Sequence, residues 1–218
     1  HKFHWLPSKF NDLDDNENWA FIHFQDMWAY GRIVHLEPVM WYNDWPICGH
    51  VGDPLLAGAP VSEADYPLDV KTNYKIDLND NFKDNKLSLL WQTQANPKKY
   101  WFSFNKGLVL NCIKIDACDL HLVPQILTQK VPALEFDTKT LIELDNLKEN
   151  DAVGFTMMGT NYTYIEIKRI DNKLELSLYE GSFNTHDICV FKEEYQDNKI
   201  ILGLKARNEA IYDLRYQY

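Results

Sequence analysis

Trp19-Ala20-Phe21-Ile22-His23-Phe24-Gln25-Asp26 is followed, after Met27-Trp28-Ala29, by Tyr30-Gly31-Arg32-Ile33-Val34-His35-Leu36-Glu37-Pro38-Val39-Met40-Trp41 and then by Trp45-Pro46-Ile47. At a period of two, Trp19, Phe21, His23 and Gln25 share one face of a strand, and Ala20, Ile22 and Phe24 share the other. A strand apolar on both faces is expected to be buried on both sides. A turn at Ala29-Tyr30-Gly31 leads to a second strand opened by Arg32, with Val34 and Leu36 on one face and Ile33, His35 and Glu37 on the other. Polar groups then sit at strand ends, on the rim of a core, which is the layout of a site. The competing reading is structural: a His and an Arg at strand ends commonly serve hydrogen bonds of the fold itself.

Outward from this stretch, the 218 residues suffice for one large all-β domain or two modest ones. Hydrophobic content of 45%, with 14% aromatic, is ample for a packed core and argues against disorder. A formal net charge of -10 argues against a nucleic-acid or anionic-membrane partner, because either polyanion would be repelled. No stretch approaches the roughly 18 consecutive apolar residues of a membrane span, and the first five residues do not read as a signal peptide. The compartment is left open between secreted and cytoplasmic. Cys48, Cys112, Cys118 and Cys189 lack CxxC spacing, so a zinc site is not expected and buried free thiols are.

Residues 1–18 read as an acidic, Asn-rich loop leading into the Trp19 strand, and Asn43-Asp44 as a tight turn, since both residues tolerate positive φ. Pro38 places its strand at an edge or a bulge. Gly52, Pro54, Gly58, Pro60 and Pro67 punctuate an aperiodic linker, taken as 51–73. From residue 74, short alternating runs at spacings of roughly 8 to 12 residues predict a β-sandwich. Strands are expected at 74–78, 89–94, 100–104, 108–115, 126–130, 135–144, 152–158, 162–169, 173–179, 188–191, 199–205 and 211–216, with a hairpin turn at Asp171-Asn172 and little helix.

The motifs Trp19 to Asp26, Tyr30 to Val39 and Trp45-Pro46-Ile47 resemble the last part of the catalytic domain of glycoside hydrolase family 43. More narrowly, they are similar to the branch of β-xylosidases and α-L-arabinofuranosidases that carry a C-terminal concanavalin-like sandwich. Asn81-Phe82, Leu87 to Gln92, Ile126 to Lys130 and Ala152 to Phe155 resemble the opening and middle of that sandwich. The resemblance implies an all-β chain: residues 1–50 closing a five-bladed β-propeller, a linker at 51–73, and a jelly-roll sandwich at 74–218. That sandwich is expected to be incomplete at its C-terminus.

It also implies an inverting exo-glycosidase acting on xylosyl or arabinofuranosyl linkages of plant cell-wall oligosaccharides. Such a mechanism needs a general base and a general acid whose carboxyls stand about 6.5–9.5 Å apart. No matching catalytic carboxylates are found in this segment, and neither Asp26 nor Glu37 corresponds to one. By resemblance Arg32 lies in the sugar pocket, and its guanidinium fork suits vicinal hydroxyls. His23 matches a histidine near the propeller axis, where a water or a structural Ca2+ ion is held. Trp28 and Tyr30 offer an apolar wall, and Gln25 is a further, weaker substrate contact. The competing reading is a non-catalytic sandwich, sugar-binding through Trp91, Tyr100 and Trp101 or purely structural.

Overall fold

The computed structural model describes residues 7–9, 19–51, 58–65, 77–115 and 119–217, and it divides into two units, His1–Ile76 and Asp77–Tyr218. In the first unit β1 (Pro7–Lys9), β2 (Trp19–Asp26), β3 (Arg32–Tyr42) and β4 (Trp45–Cys48) form one antiparallel sheet in that order. Strands β5 (His50–Val51) and β6 (Gly58–Ala59) pair beside it as a two-stranded ribbon. Asn43 and Asp44 hold φ of 47° and 62°, the left-handed pair that a two-residue hairpin requires. At Gly49 (φ 80°) a Cβ would stand 2.0 Å from the Ala59 carbonyl oxygen, so only glycine fits where β4 gives way to β5.

Pro38 lies inside β3, an inner strand, without breaking it. Its carbonyl accepts from Gly49 N (2.7 Å), one residue beyond the end of β4. The missing N–H therefore faces the place where the ladder has already stopped, and only one bond is forgone.

Burial on both faces does not hold for β2 and β3. Ala20 and Ile47 are buried, yet Ile22, Phe24, Val34, Leu36 and Met40 form an exposed apolar face. On that face Arg32 lies above Phe24 and the other side chains keep access to water, so the expected burial fails there.

The second unit opens with short pieces: β7 (Gln92–Thr93), β8 (Phe102–Phe104), β9 (Leu108–Leu110) and β10 (Leu127–Thr128). Strand β10 pairs with β7 and β8 with β9. Long strands follow: β11 (Phe136–Glu143), β12 (Ala152–Met157), β13 (Asn161–Ile170), β14 (Lys173–Ser182), β15 (Ile188–Tyr195), β16 (Lys199–Arg207) and β17 (Ile211–Gln217). They make a three-stranded sheet, β11-β16-β17, and a four-stranded one, β12-β13-β14-β15.

Side chains of the two sheets meet in one core. Ile200 and Leu202 come from the first, and Ile165, Ile167, Leu174, Leu176 and Tyr195 from the second, with Leu144 beside them. Each such apolar side chain contributes about 1.5–3 kcal/mol by leaving water. The all-β sandwich is thus present. Strand β15 ends the larger sheet, and a register shift opposite Leu178 and Tyr179 bulges it, a device that discourages pairing with another chain.

The expected strands at 108–115 and 126–130 shrink to Leu108–Leu110 and Leu127–Thr128. Of 74–78, residues 74–76 lie outside the described residues and Asp77 and Leu78 are irregular, and 89–94 shrinks to Gln92–Thr93. Between them Asp77, Asp80 and Asn81 accept hydrogen bonds from the backbone N–H two residues on (3.0, 2.8 and 3.1 Å). These local turns satisfy the backbone without a partner strand. Among the described residues helix is confined to three short 3-10 turns, and none is long and apolar enough to cross a membrane.

Candidate functional site

Register decides which of the expected site residues can meet. The β2–β3 ladder sets Asp26 opposite Arg32, Gln25 opposite Ile33, His23 opposite His35 and Phe21 opposite Glu37. Because side chains alternate, Arg32 shares a face with Phe24 and Asp26, while His23 and Gln25 project from the other. The five residues therefore do not form one cluster.

At the hairpin end, the Arg32 guanidinium lies 5.1 Å above the Phe24 ring centroid. The contact is worth about 0.5–1 kcal/mol where water has access, as it has here. Asp26 does not serve Arg32. Its Oδ1 accepts instead from Trp28 N at 3.1 Å, fixing the turn. Trp28 sits at φ 58° and is 93% exposed, so its indole is presented rather than packed. Gly31 N donates to the Trp28 carbonyl (3.0 Å), and Tyr30, half-buried, completes the turn. Gln25 is exposed.

On the opposite face His23 is half-buried between two rings, Phe21 (5.1 Å) and its cross-strand partner His35 (5.2 Å). Its Nε2 stands 3.8 Å from Glu37 Oε1. Glu37 is 6% exposed, and its Oε2 accepts from Val61 N at 3.0 Å. A buried carboxylate thus ties the 58–65 segment to β3, and burial followed by this negative charge pushes the Cys48 thiol up. His35 and Glu37 were not expected as partners of His23. The signal was their shared periodicity, but only the turn length converts it into register.

Ca2+ takes six to eight oxygen ligands. His23 and Glu37 offer one nitrogen and one carboxylate oxygen, and no group of three or more His, Cys, Asp or Glu suited to a metal occurs among the described residues. These residues alone do not fit the ion, and no step is routed through it. Cys48, Cys112 and Cys189 are free thiols but not buried ones as expected: Cys48 is half-buried and Cys112 and Cys189 are exposed, while Cys118 lies outside the described residues.

One end of the sandwich holds a polar network that sequence reasoning missed. Asp187 accepts from the hydroxyls of Tyr162 (2.5 Å) and Tyr164 (2.8 Å), and Leu120 N donates to the Tyr162 oxygen (2.9 Å). Burial first, then the bond to Asp187, pushes both phenols up and keeps them donors. Buried Asp119 accepts from His121 N (2.7 Å) and Asn184 N (2.8 Å). Burial alone would raise its carboxyl; these two N–H groups and the adjacent His121 hold it below the usual range. The aromatics considered as sugar platforms are mostly engaged in structure. Trp101 is 5% exposed, and the Trp91 indole donates to Asp80 Oδ2 (2.9 Å) while packing on Phe82. Tyr100 alone of the three is exposed, beside Lys98.

Residues 79–218 match the model of the β-xylosidase C-terminal concanavalin A-like domain of glycoside hydrolase family 43. The chain belongs to that family. This β-xylosidase-type C-terminal portion is 31% identical over 128 residues to the Xylanibacter ruminicola protein named "Putative beta-xylosidase", covering 58% of the chain and 24% of the relative. It is 32% identical over 95 residues to a β-xylosidase of Formosa agariphila, covering 42% and 16%. Among solved structures, the bifunctional GH43-CE protein of Bacteroides eggerthii superposes with a TM-score of 0.72 at 22% identity, over 94% of this chain and 27% of that one. A GH43 glycoside hydrolase engineered to display both endo-xylanase and exo-arabinofuranosidase activity superposes at 0.76 and 18% identity, over 94% and 43%. At these identities the superpositions speak for the fold. The matches span about a quarter or less of the curated relatives' lengths.

Proposed function

We propose that the chain is the C-terminal part of an inverting exo-glycosidase that removes xylosyl or arabinofuranosyl units from plant cell-wall oligosaccharides. The observation that carries this reading is the joint occurrence, in one chain, of the family sandwich at 79–218 and the arginine-centred hairpin at 19–48. On this reading residues 1–50 are closing strands of a five-bladed propeller. A four-stranded meander with apolar residues on both faces, one of them uncovered, is what a blade looks like without its neighbour.

Arg32 is then a pocket residue, gripping sugar hydroxyls through its fork, with exposed Trp28 and half-buried Tyr30 as an apolar wall and Gln25 at its margin. His23 acts from the other face, in the stack with His35 and beside Glu37. The acid and base are assigned to no residue here. Asp26 and Glu37 each hold a backbone N–H of the local fold, which supports leaving them out of the chemistry.

The test is release of nitrophenol from nitrophenyl β-xyloside and nitrophenyl arabinofuranoside by the full-length polypeptide. Hydrolysis of at least one is expected; release from neither ends the reading. The second reading, a sandwich that braces the catalytic part without chemistry of its own, draws support from the buried or bonded state of Trp91 and Trp101 and describes residues 77–218.

A further inference from the structure

Three connections of the sandwich converge at one end: Asp145 after β11, the β13–β14 hairpin at Asp171-Asn172, and Gln196 to Asn198 between β15 and β16. Between them lies a cavity of about 300 Å³. Its walls are fixed by bonds within the chain. Arg169 Nε donates to the Leu147 carbonyl (2.8 Å) and Nη1 to the Asn172 carbonyl (3.3 Å). The two oxygens of Glu149 accept from Asp171 N and Asn172 N (2.9 and 3.3 Å). Asn198 Nδ2 donates to Asp145 Oδ1 (3.1 Å), and the Asn198 carbonyl accepts from Leu144 N (2.8 Å).

The polar groups exceed what these bonds consume. Among the described residues the Asn172 and Gln196 side-chain amides and the Asp197 carboxylate have no partner, and Asp145 keeps a free oxygen. Lys173 pairs with Glu194 at 2.8 Å. Two cations, Arg169 and Lys173, face three carboxylates, Asp145, Glu194 and Asp197, so the walls nearly balance and favour neither a polyanion nor a polycation. Buried Leu144 and Leu174 line the same cavity. Unpaired donors and acceptors side by side on turns of nearly balanced charge suit a neutral ligand whose hydroxyls both donate and accept. The bonds above hold the backbone of these turns in place, which spares part of the ordering that binding would otherwise require.

We infer that this basin binds a saccharide unit, with a xylose residue of a xylo-oligosaccharide as its occupant. The choice of xylose rests on the proposed glycosidase reading; the basin itself does not. The experiment is a titration of the full chain with xylotriose, followed by amide 1H–15N correlation spectra. Shifts confined to 145–147, 169–173 and 194–198 are expected, with a dissociation constant of about 1–10 mM. Asp197→Ala and Asn172→Gly, the latter keeping the positive φ of that turn, are each expected to weaken binding about tenfold. Absence of shifts, shifts elsewhere, unaltered binding by both variants, or an equal response to glycerol would each overturn the assignment. Hydrolysis of nitrophenyl xyloside by the full-length polypeptide should be unchanged by Asp197→Ala. A failed glycosidase reading therefore shows in that assay and a failed basin only in the titration.

Discussion

Arg32 and Asp119 are two charged side chains with opposite situations. Among the described residues the Arg32 side chain is held only by the Phe24 ring, and it has access to water, so its removal should leave the fold intact. In the full-length polypeptide, Arg32→Ala is expected to lower kcat/KM about 100-fold or more while the melting temperature moves little. Unchanged kinetics would remove Arg32 from the pocket. Asp119 is buried and its carboxyl is held low, so its folded-state pKa lies below the unfolded value near 3.8. A depressed carboxyl stabilises the fold above the unfolded pKa, and that contribution is lost as pH falls through the folded one. Asp119→Asn should therefore be less stable than the parent chain at pH 6, with the gap narrowing toward pH 3; urea midpoints across that range would measure it. A constant gap would mean that geometry rather than charge is what Asn lacks.

Elements differ in how readily they declare themselves. From 136 to 217 the period of two and the Asp171-Asn172 turn were enough, and the strands fall within a few residues of their expected bounds, because each is long, one face meets a core, and both turn residues adopt positive φ. From 77 to 130 alternation was misleading: Asp and Asn side chains took over backbone donors, and strands of two or three residues remain. The hairpin strands were legible, but not the meeting of His23 with His35 and Glu37, which depends on register. Nor were the bonds from Asp187 and Asp119, since these join residues 23 to 65 positions apart. Tyr162 links the 119–122 turn to the Asp187 carboxylate, so Tyr162→Phe strands two polar groups at once. A loss of about 1–3 kcal/mol is expected, read from denaturant unfolding. Gly49→Ala should destabilise the first unit by a comparable or larger amount, because a Cβ meets the Ala59 carbonyl. Tryptophan fluorescence, to which Trp19, Trp41 and Trp45 of that unit contribute, would follow it.

At the scale of the molecule, the described residues show an imbalance in the apolar face of β2 and β3. Ile22, Phe24, Val34, Leu36 and Met40 are each at least 38% exposed, with Val34 at 68%. A contiguous patch of this kind promotes self-association unless another surface covers it. Val34→Lys is expected to suppress association of the 218-residue chain in light scattering without altering the sandwich, and to impair hydrolysis by the full-length polypeptide if a neighbouring blade packs there. Equal scattering from both forms would mean the face is already covered.

Pro38 also guards the sheet against sliding. Were β4 to advance along β3 so that its ladder ran on past Val39, the next narrow pair would ask Pro38 for a donor it does not have. Misaligned hairpins are thereby penalised at one imino acid, and the chain leaves the sheet at Gly49 in the one alignment that sets Trp41 beside Pro46 and Val39 beside Cys48.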